Sequence, residues 1–178
     1  MIYLFLAEGF EEIEALATVD ILRRAGAELA TVGVGGKQVA GSHGITVTAD
    51  LEEREVQISK ADMVILPGGP GTKNLERSAV MQSAVRSCAE RRRPIAAICA
   101  APSILGHMGL LNGHTATCFP GYEDELHAAK VTGDAVCVSG NIITGKGAGV
   151  AVEFALKIVE ELYGTEKSSS IRKNIQCV

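Results

Sequence analysis

Two side chains in this sequence stand where nucleophilic and acid–base chemistry could be done: the thiol of Cys99 and the carboxyl of Glu14. Cys99 ends Pro94-Ile95-Ala96-Ala97-Ile98, an apolar run too short for a helix and opened by a proline after three arginines. Such a run reads as a buried strand of a parallel sheet. Small residues follow, and Pro102 then introduces a helix whose first turn carries the proline. The cysteine therefore sits at a strand-to-helix corner, a nucleophile elbow with cysteine in place of serine. Unpaired N–H groups and the positive end of the helix dipole favour a thiolate there, the form that attacks electrophiles and oxidises. A cysteine ending a core strand is also a common small apolar filler, so the residue type alone leaves both roles open.

Glu14 lies one turn into a helix expected from about Glu11 to Ala25, with Gly26 as its stop. At a hundred degrees per residue Ile13, Leu16, Ala17 and Ile21 share a face, which predicts an amphipathic helix with Glu14 on the flank of its buried side. From there a carboxylate could reach over the sheet edge, or simply favour the helix N-terminus in solvent. A third corner, Pro67-Gly68-Gly69-Pro70-Gly71, follows the apolar run Asp62 to Leu66. It lacks a phosphate-loop or dinucleotide signature and suits a backbone N–H site for an oxyanion better.

The elements that must position these residues alternate strand and helix. Strands are expected at Ile2 to Ala7, Ala27 to Val34, Asp62 to Leu66, Pro94 to Ile98, Ala135 to Val138 and Asn141 to Thr144, with a short one at Thr115 to Cys118. Gln38 to Ala40 and Ile45 to Ala49 form an antiparallel excursion around Gly41-Ser42-His43-Gly44. Asp50 to Arg54 is read as loop or a short surface helix. Ser78 caps a helix running to Arg92, Gly121 to Ala129 forms a polar surface helix, Val150 to Tyr163 a helix whose Val152, Ala155, Leu156 and Val159 face the core, and Thr165 to Val178 a last short helix with its final residues frayed. The expected fold is a single α/β domain over residues 1–178, a flavodoxin-like parallel sheet with helices on both faces. Ligands in such sheets bind beyond the carboxyl ends of the strands, where the Glu8-Gly9 corner, the Pro67 to Gly71 corner and Cys99 would converge.

Composition narrows the partners. A net charge of −4 provides no basic field for nucleic acid, and no apolar run approaches membrane-spanning length. Met1 to Ala7 lacks a basic lead and reads as a strand, not a secretory leader. Five cysteines form no CxxC pair and their odd number suggests no disulfide framework, so a reducing, cytoplasmic setting is expected. No cluster has metal-ligand spacing along the chain, and no metal or cofactor is expected. His107, His114 and His127 are assigned no role.

Three motifs together resemble the ThiJ/PfpI (DJ-1-like) superfamily: Ala7-Glu8-Gly9-Phe10-Glu11-Glu12-Ile13-Glu14, Val64-Ile65-Leu66-Pro67-Gly68-Gly69 and Ala96-Ala97-Ile98-Cys99-Ala100-Ala101-Pro102. Gly145 to Leu162 is similar too, so the likeness covers nearly the whole chain. The resemblance implies that Cys99 is an oxidisable nucleophile and Glu14 the acid hydrogen-bonded to it, with Gly69 and Ala100 N–H groups as anion-binding donors and a homodimer as the assembly. A buried, protonated carboxyl could donate to a thiolate or sulfinate. Two departures matter. Protease-like members place a histidine directly after the cysteine, where Ala100 stands here, which argues against a protease. Many animal members of the DJ-1-like branch carry a histidine at the position of Phe119. An arginine common at the pocket mouth corresponds to His43, which could act from a dimer partner or be an exposed turn histidine. The activity implied is a glutathione-independent glyoxalase or deglycase acting on methylglyoxal-like 2-oxoaldehydes or their early protein adducts. The alternative is a redox sensor or redox-dependent chaperone that oxidises Cys99 to sulfinic acid.

Overall fold

In the computed structural model, residues 1–127 and 129–177 are described. β1 (Ile2–Leu6), β2 (Leu29–Gly33), β6 (Met63–Leu66), β7 (Ile95–Ile98) and β11 (Ile142–Gly145) are parallel and form the middle of a seven-stranded sheet. Edge strand β5 (Leu51–Glu52) adds parallel to β2, and β10 (Val136–Ser139) adds antiparallel to β11. The order β10-β11-β7-β6-β1-β2-β5 contains the flavodoxin-like sequence 2-1-3-4-5 when the five central strands are counted in chain order. Its switch point falls between β1 and β6.

Strand periodicity explains why helices must cover both faces. Ile2, Leu4 and Leu6 pack on one side with Met63, Ile65, Ala96 and Ile98, whereas Tyr3, Phe5 and Ala7 pack on the other with Val64, Leu66, Ile95 and Ala97. The first face is covered by α1 (Glu12–Arg24), α5 (Ala151–Tyr163) and α6 (Thr165–Asn174), through Leu22, Phe154, Leu156 and Ile171. The second is covered by α2 (Thr72–Glu76), α3 (Ala79–Glu90) and α4 (Pro102–His107), through Leu75, Met81, Val85 and Ile104. Each fully buried aliphatic or aromatic side chain of this set stabilises the fold by roughly 1.5–3 kcal/mol before entropy is counted. Ser78 caps α3 as expected, its Oγ accepting from Met81 N–H at 2.9 Å. No helix among the described residues is long and apolar enough to cross a membrane.

Several elements differ from the sequence expectation. The buried face of α1 comprises Glu12, Glu14, Ala15, Thr18, Val19, Ile21 and Leu22, while Ile13 is 57% exposed. Two carboxylates occupy interior positions, which turns the helix away from the phase its apolar residues suggest. Asp50 to Arg54 supplies β5 as well as a 3-10 turn, because Leu51 and Glu52 pair with Val32 and Gly33. α2 was not foreseen in the glycine-rich stretch. β8 (Thr115–Ala116) pairs with the unforeseen β9 (Lys130–Val131) in a separate small sheet. The expected helix from Gly121 is only a 3-10 turn, Glu123–Leu126, ended where His127 adopts φ +44°; its expected span also includes residue 128, outside the described residues. The last helix, by contrast, ends at Asn174, in keeping with the expected fraying of the tail, and residue 178 lies outside the described residues.

The antiparallel pair β3 (Gln38–Ala40) and β4 (Thr46–Thr48) is clasped to α1 by Glu12. Its Oε1 accepts from His43 N–H at 2.8 Å and Ile45 N–H at 3.4 Å, and its Oε2 lies 3.1 Å from both Ser42 Oγ and His43 Nδ1. Gly41 leaves room for this clasp, since a Cβ there would fall 2.3 Å from the Glu12 carboxyl carbon and force that side chain to shift. Burial alone would raise the Glu12 pKa, but these donors outweigh it and hold it near 2 instead of 4.5. A carboxyl with a depressed folded pKa confers stability above its unfolded pKa and loses it as pH falls through the folded one. Between pH 4.5 and about 2 the wild-type melting temperature should therefore fall more steeply than that of Glu12→Gln. Parallel acid limbs in a thermal-denaturation series would remove the clasp from this account.

Candidate functional site

Backbone pairing brings three strand ends together before any side chain is considered. Glu11 N–H donates to Gly68 O at 3.0 Å and Gly71 N–H to Gly9 O at 2.8 Å, stitching the corner after β1 to the corner after β6. Cys99 follows β7 directly and has φ +66°, a left-handed conformation that costs a non-glycine residue of order 1–3 kcal/mol. It is pinned on both sides, its N–H donating to Gly145 O at 2.9 Å and its carbonyl accepting from Phe119 N–H at 2.8 Å. The strained elbow is thus fixed by neighbours that belong to β11 and to the turn after β8.

Glu14 reaches the same point from α1. It is 1% exposed, and its Oε2 accepts from Gly68 N–H at 2.8 Å. Oε1 is buried with no hydrogen-bond partner, and the neighbouring Cys99 thiol acts on the carboxyl by lowering its pKa. Gly68 must lack a side chain, because a Cβ would stand 2.6 Å from Cys99 Cβ and 2.9 Å from Glu14 Oε2. The N–H groups of Gly69 and Ala100 favour negative charge on the sulfur and lower the thiol's pKa. Cys99, Glu14, Gly69 and Ala100 are therefore one constellation.

Electrostatics make the acid and the thiol interdependent. Burial raises the Glu14 carboxyl to about 7, against lowering by Gly68 N–H and by Cys99. Burial first, and the negative Glu14 second, push the Cys99 thiol up to about 12, which the Gly69 and Ala100 donors only partly offset. The expected thiolate therefore does not coexist with an ionised Glu14. Its accessible form is the one in which Glu14 keeps the proton, removing the repulsion and presenting a donor to the sulfur. Among the other thiols, Cys88 and Cys118 are buried and are pushed up to about 11 by that burial.

The sulfur opens on a cleft of about 860 Å³ whose walls include Glu11, Thr72, Lys73, Ser103, Phe119 and Tyr122. Phe119 is 47% exposed there. His43 is not among the lining residues; its ring lies against Glu12 and, at 3.7 Å, Glu11, with the side chain 70% exposed. The pocket-mouth position expected for it is not reached within one chain. Sequence reasoning missed Gly68, whose only signal was the doubled glycine, and the lining groups Lys73, Glu76, His107 and Glu125, which lie on α2, on α4 and on the 3-10 turn after β8.

Replacing Glu14 by Gln keeps a hydrogen-bond donor and removes the charge. At a pH above about 7, where wild-type Glu14 is ionised, Glu14→Gln should raise the iodoacetamide alkylation rate of Cys99 by about tenfold or more, one pKa unit being a tenfold change in thiolate fraction. Because the folded pKa of Glu14 is raised, its favourable contribution is complete below 4.5 and vanishes as pH climbs to about 7. At pH 8 the variant should accordingly be more stable than wild type, by up to about 3 kcal/mol. Equal alkylation rates and equal denaturation midpoints would show that the two groups are not coupled.

Comparison with known proteins agrees with this architecture along the chain. The DJ-1/PfpI family model matches residues 1–161. The chain is 38% identical over 174 residues to Protein dj-1beta of Drosophila melanogaster, covering 96% of this chain and 93% of that one. It is 35% identical over 168 residues to the glutathione-independent glyoxalase DJR-1.2 of Caenorhabditis elegans, covering 93% and 90%. The solved structure of oxidized Toxoplasma gondii DJ-1 superposes with a TM-score of 0.94 at 35% identity, covering 98% of this chain and 97% of that chain. With the fold, the elbow cysteine and the family model in agreement, the chain belongs to the DJ-1/PfpI family.

Proposed function

We propose that this protein is a cysteine-dependent glyoxalase or deglycase acting on methylglyoxal-like 2-oxoaldehydes or their early protein adducts, without a cofactor. The observation that carries the reading is the single constellation of a strained, cleft-facing Cys99, a buried high-pKa Glu14, and two N–H groups on the sulfur. The name of the Caenorhabditis elegans relative supports the same chemistry. With Glu14 protonated, the Cys99 thiolate adds to the aldehyde carbon and forms a hemithioacetal whose oxyanion the Gly69 and Ala100 N–H groups can receive. A proton then leaves the former aldehyde carbon and another is delivered to the adjacent carbon, converting the adduct to a 2-hydroxy thioester. Water cleaves the thioester, releasing the 2-hydroxy acid and the free thiol. Glu14 is the side chain placed to move protons at the sulfur, and Phe119 offers no titratable group, so turnover should be low.

A second reading is favoured by the same donors. Sulfinate oxygens on Cys99 would accept from protonated Glu14 and from the N–H pair, which suits a redox sensor or redox-dependent chaperone. One set of samples separates the two: wild type, Cys99→Ser and Glu14→Gln, assayed for lactate from methylglyoxal and by intact mass after graded peroxide. The glyoxalase reading expects lactate from wild type alone or far above both variants; equal rates in all three sink it. Oxidation of Cys88, Cys118 or Cys137 before Cys99 would sink the sensor.

The same proposal makes the working form a homodimer. Ile13 and Ile45 are 57% and 54% exposed beside the Glu12 clasp and provide apolar surface for a second copy. Sedimentation should return a dimer at micromolar concentration and a monomer for Ile13→Asp; a wild-type monomer would count against the proposal.

A further inference from the structure

A second group of chemistry-bearing side chains stands on the wall of the same cleft, away from the sulfur's own hydrogen bonds. His107 ends α4 and is held between two carboxylates, its Nδ1 2.6 Å from Glu76 Oε1 and its Nε2 2.7 Å from Glu125 Oε2. The His127 ring follows at 5.3 Å between centroids, tilted by 45°. One donor atom from each of His107, Glu125 and His127 lies within 4.8 Å of the others. We propose that these three residues bind a divalent transition ion, with zinc the natural case, and that Glu76 orients His107 from outside the coordination sphere.

The donor set and its packing both point that way. Two imidazoles and one carboxylate suit a borderline ion, and bond lengths of about 2.0–2.2 Å place tetrahedral donors roughly 3–3.5 Å apart, within reach of side-chain rotation here. A histidine that ligates through one ring nitrogen characteristically gives the other to a carboxylate, and Glu76 stands at Nδ1 in that position. Three protein ligands leave a fourth position open for water or a ligand beside the cleft that His107 and Glu125 line.

Backbone contacts bring the three together although they are distant in sequence. A Cβ at Gly106 would fall 2.2 Å from Glu125 O and 2.8 Å from Leu126 Cα, so the glycine lets α4 run directly against the Glu123–Leu126 turn. Leu126 is fully buried and anchors that turn, which sets Glu125 and His127 on either side of the anchor. The other mixed cluster, Glu11, Glu12 and His43, has two acids to one imidazole. Both Glu12 oxygens there are already engaged in holding the β3–β4 connection, which gives that cluster a structural use.

The test uses the full chain carrying Cys99→Ser, which removes the competing thiol. Zn²⁺ is titrated calorimetrically, and Co²⁺ is followed by its visible absorption. One equivalent should bind in the Cys99→Ser chain, with a cobalt spectrum free of thiolate charge transfer. His107→Ala and His127→Ala, each added to it, should weaken binding by about tenfold or more, and Glu76→Gln by a comparable factor, as loss of an outer-shell partner does. Glu125→Gln, which preserves shape, guards against a loss caused by misfolding and should also weaken binding. The proposal is overturned if Cys99→Ser alone abolishes zinc binding, or if His127→Ala binds as tightly as its parent.

Discussion

Burying the Glu14 carboxyl against the Cys99 sulfur is the constraint from which the rest of the site follows. Two acids share a volume that water cannot screen well, so a second negative charge is expensive and one proton must remain in the pair. The close approach of the two groups leaves no room for a side chain at Gly68, whose N–H fixes the carboxyl while only partly opposing the rise in its pKa. Oε1, buried with no hydrogen-bond partner, is the oxygen left to carry that proton. The arrangement stabilises a reactive state at the expense of the fold above neutral pH, a trade common at functional sites.

The sheet order makes the constellation possible with short connections. β6 and β7 are neighbours, and β1 lies on the far side of β6, so three consecutive carboxyl ends present Glu14, the doubled glycine and Cys99 to one another. Nearly everything that fixes the sulfur is main chain: Gly145 O, Phe119 N–H, Gly69 N–H and Ala100 N–H. Side chains on the cleft wall are therefore free to vary without moving the elbow. The wall could take up separate duties, as the His107 group illustrates, because α4 and the Glu123–Leu126 turn meet there with no part in holding the sulfur.

The sequence was most informative where a local rule and the tertiary context agreed. Ile2 to Leu6, Met63 to Leu66 and Ile95 to Ile98 are short and wholly apolar, and each is buried on both faces as a central parallel strand must be. Pro102 and Ser78 announced helix starts through local chemistry. Reading failed where function or long-range packing prevailed. On α1 the apolar residues alone implied that Ile13 faces inward, but the interior positions go to Glu12, whose burial is outweighed by N–H donors from residues 43 and 45, and to Glu14, whose burial the Gly68 N–H offsets only in part. The thiolate expectation counted the helix donors and a protonated Glu14, and missed burial as the larger influence, followed by the negative charge that an ionised Glu14 brings. His107, Glu125 and His127 showed no spacing because Gly106 joins them across segments, a contact with no local signature.

Phe119 shows how one position can be essential in its backbone and variable in its side chain. Its N–H closes the second hydrogen bond on the Cys99 peptide, while its ring lies half-exposed in the cleft and against Gly147. Any non-proline residue supplies the N–H, so the elbow does not require a histidine there. The chemistry is affected differently. With no titratable group at 119, Glu14 must both protect the thiolate as an acid and accept a proton as a base. These demands oppose each other: below its pKa the acid form predominates, and above it the carboxylate returns the sulfur to the thiol. On the proposed glyoxalase reading the useful interval is therefore confined to the neighbourhood of that pKa, about 7, and slow turnover would follow from assigning two proton tasks to one buried carboxyl.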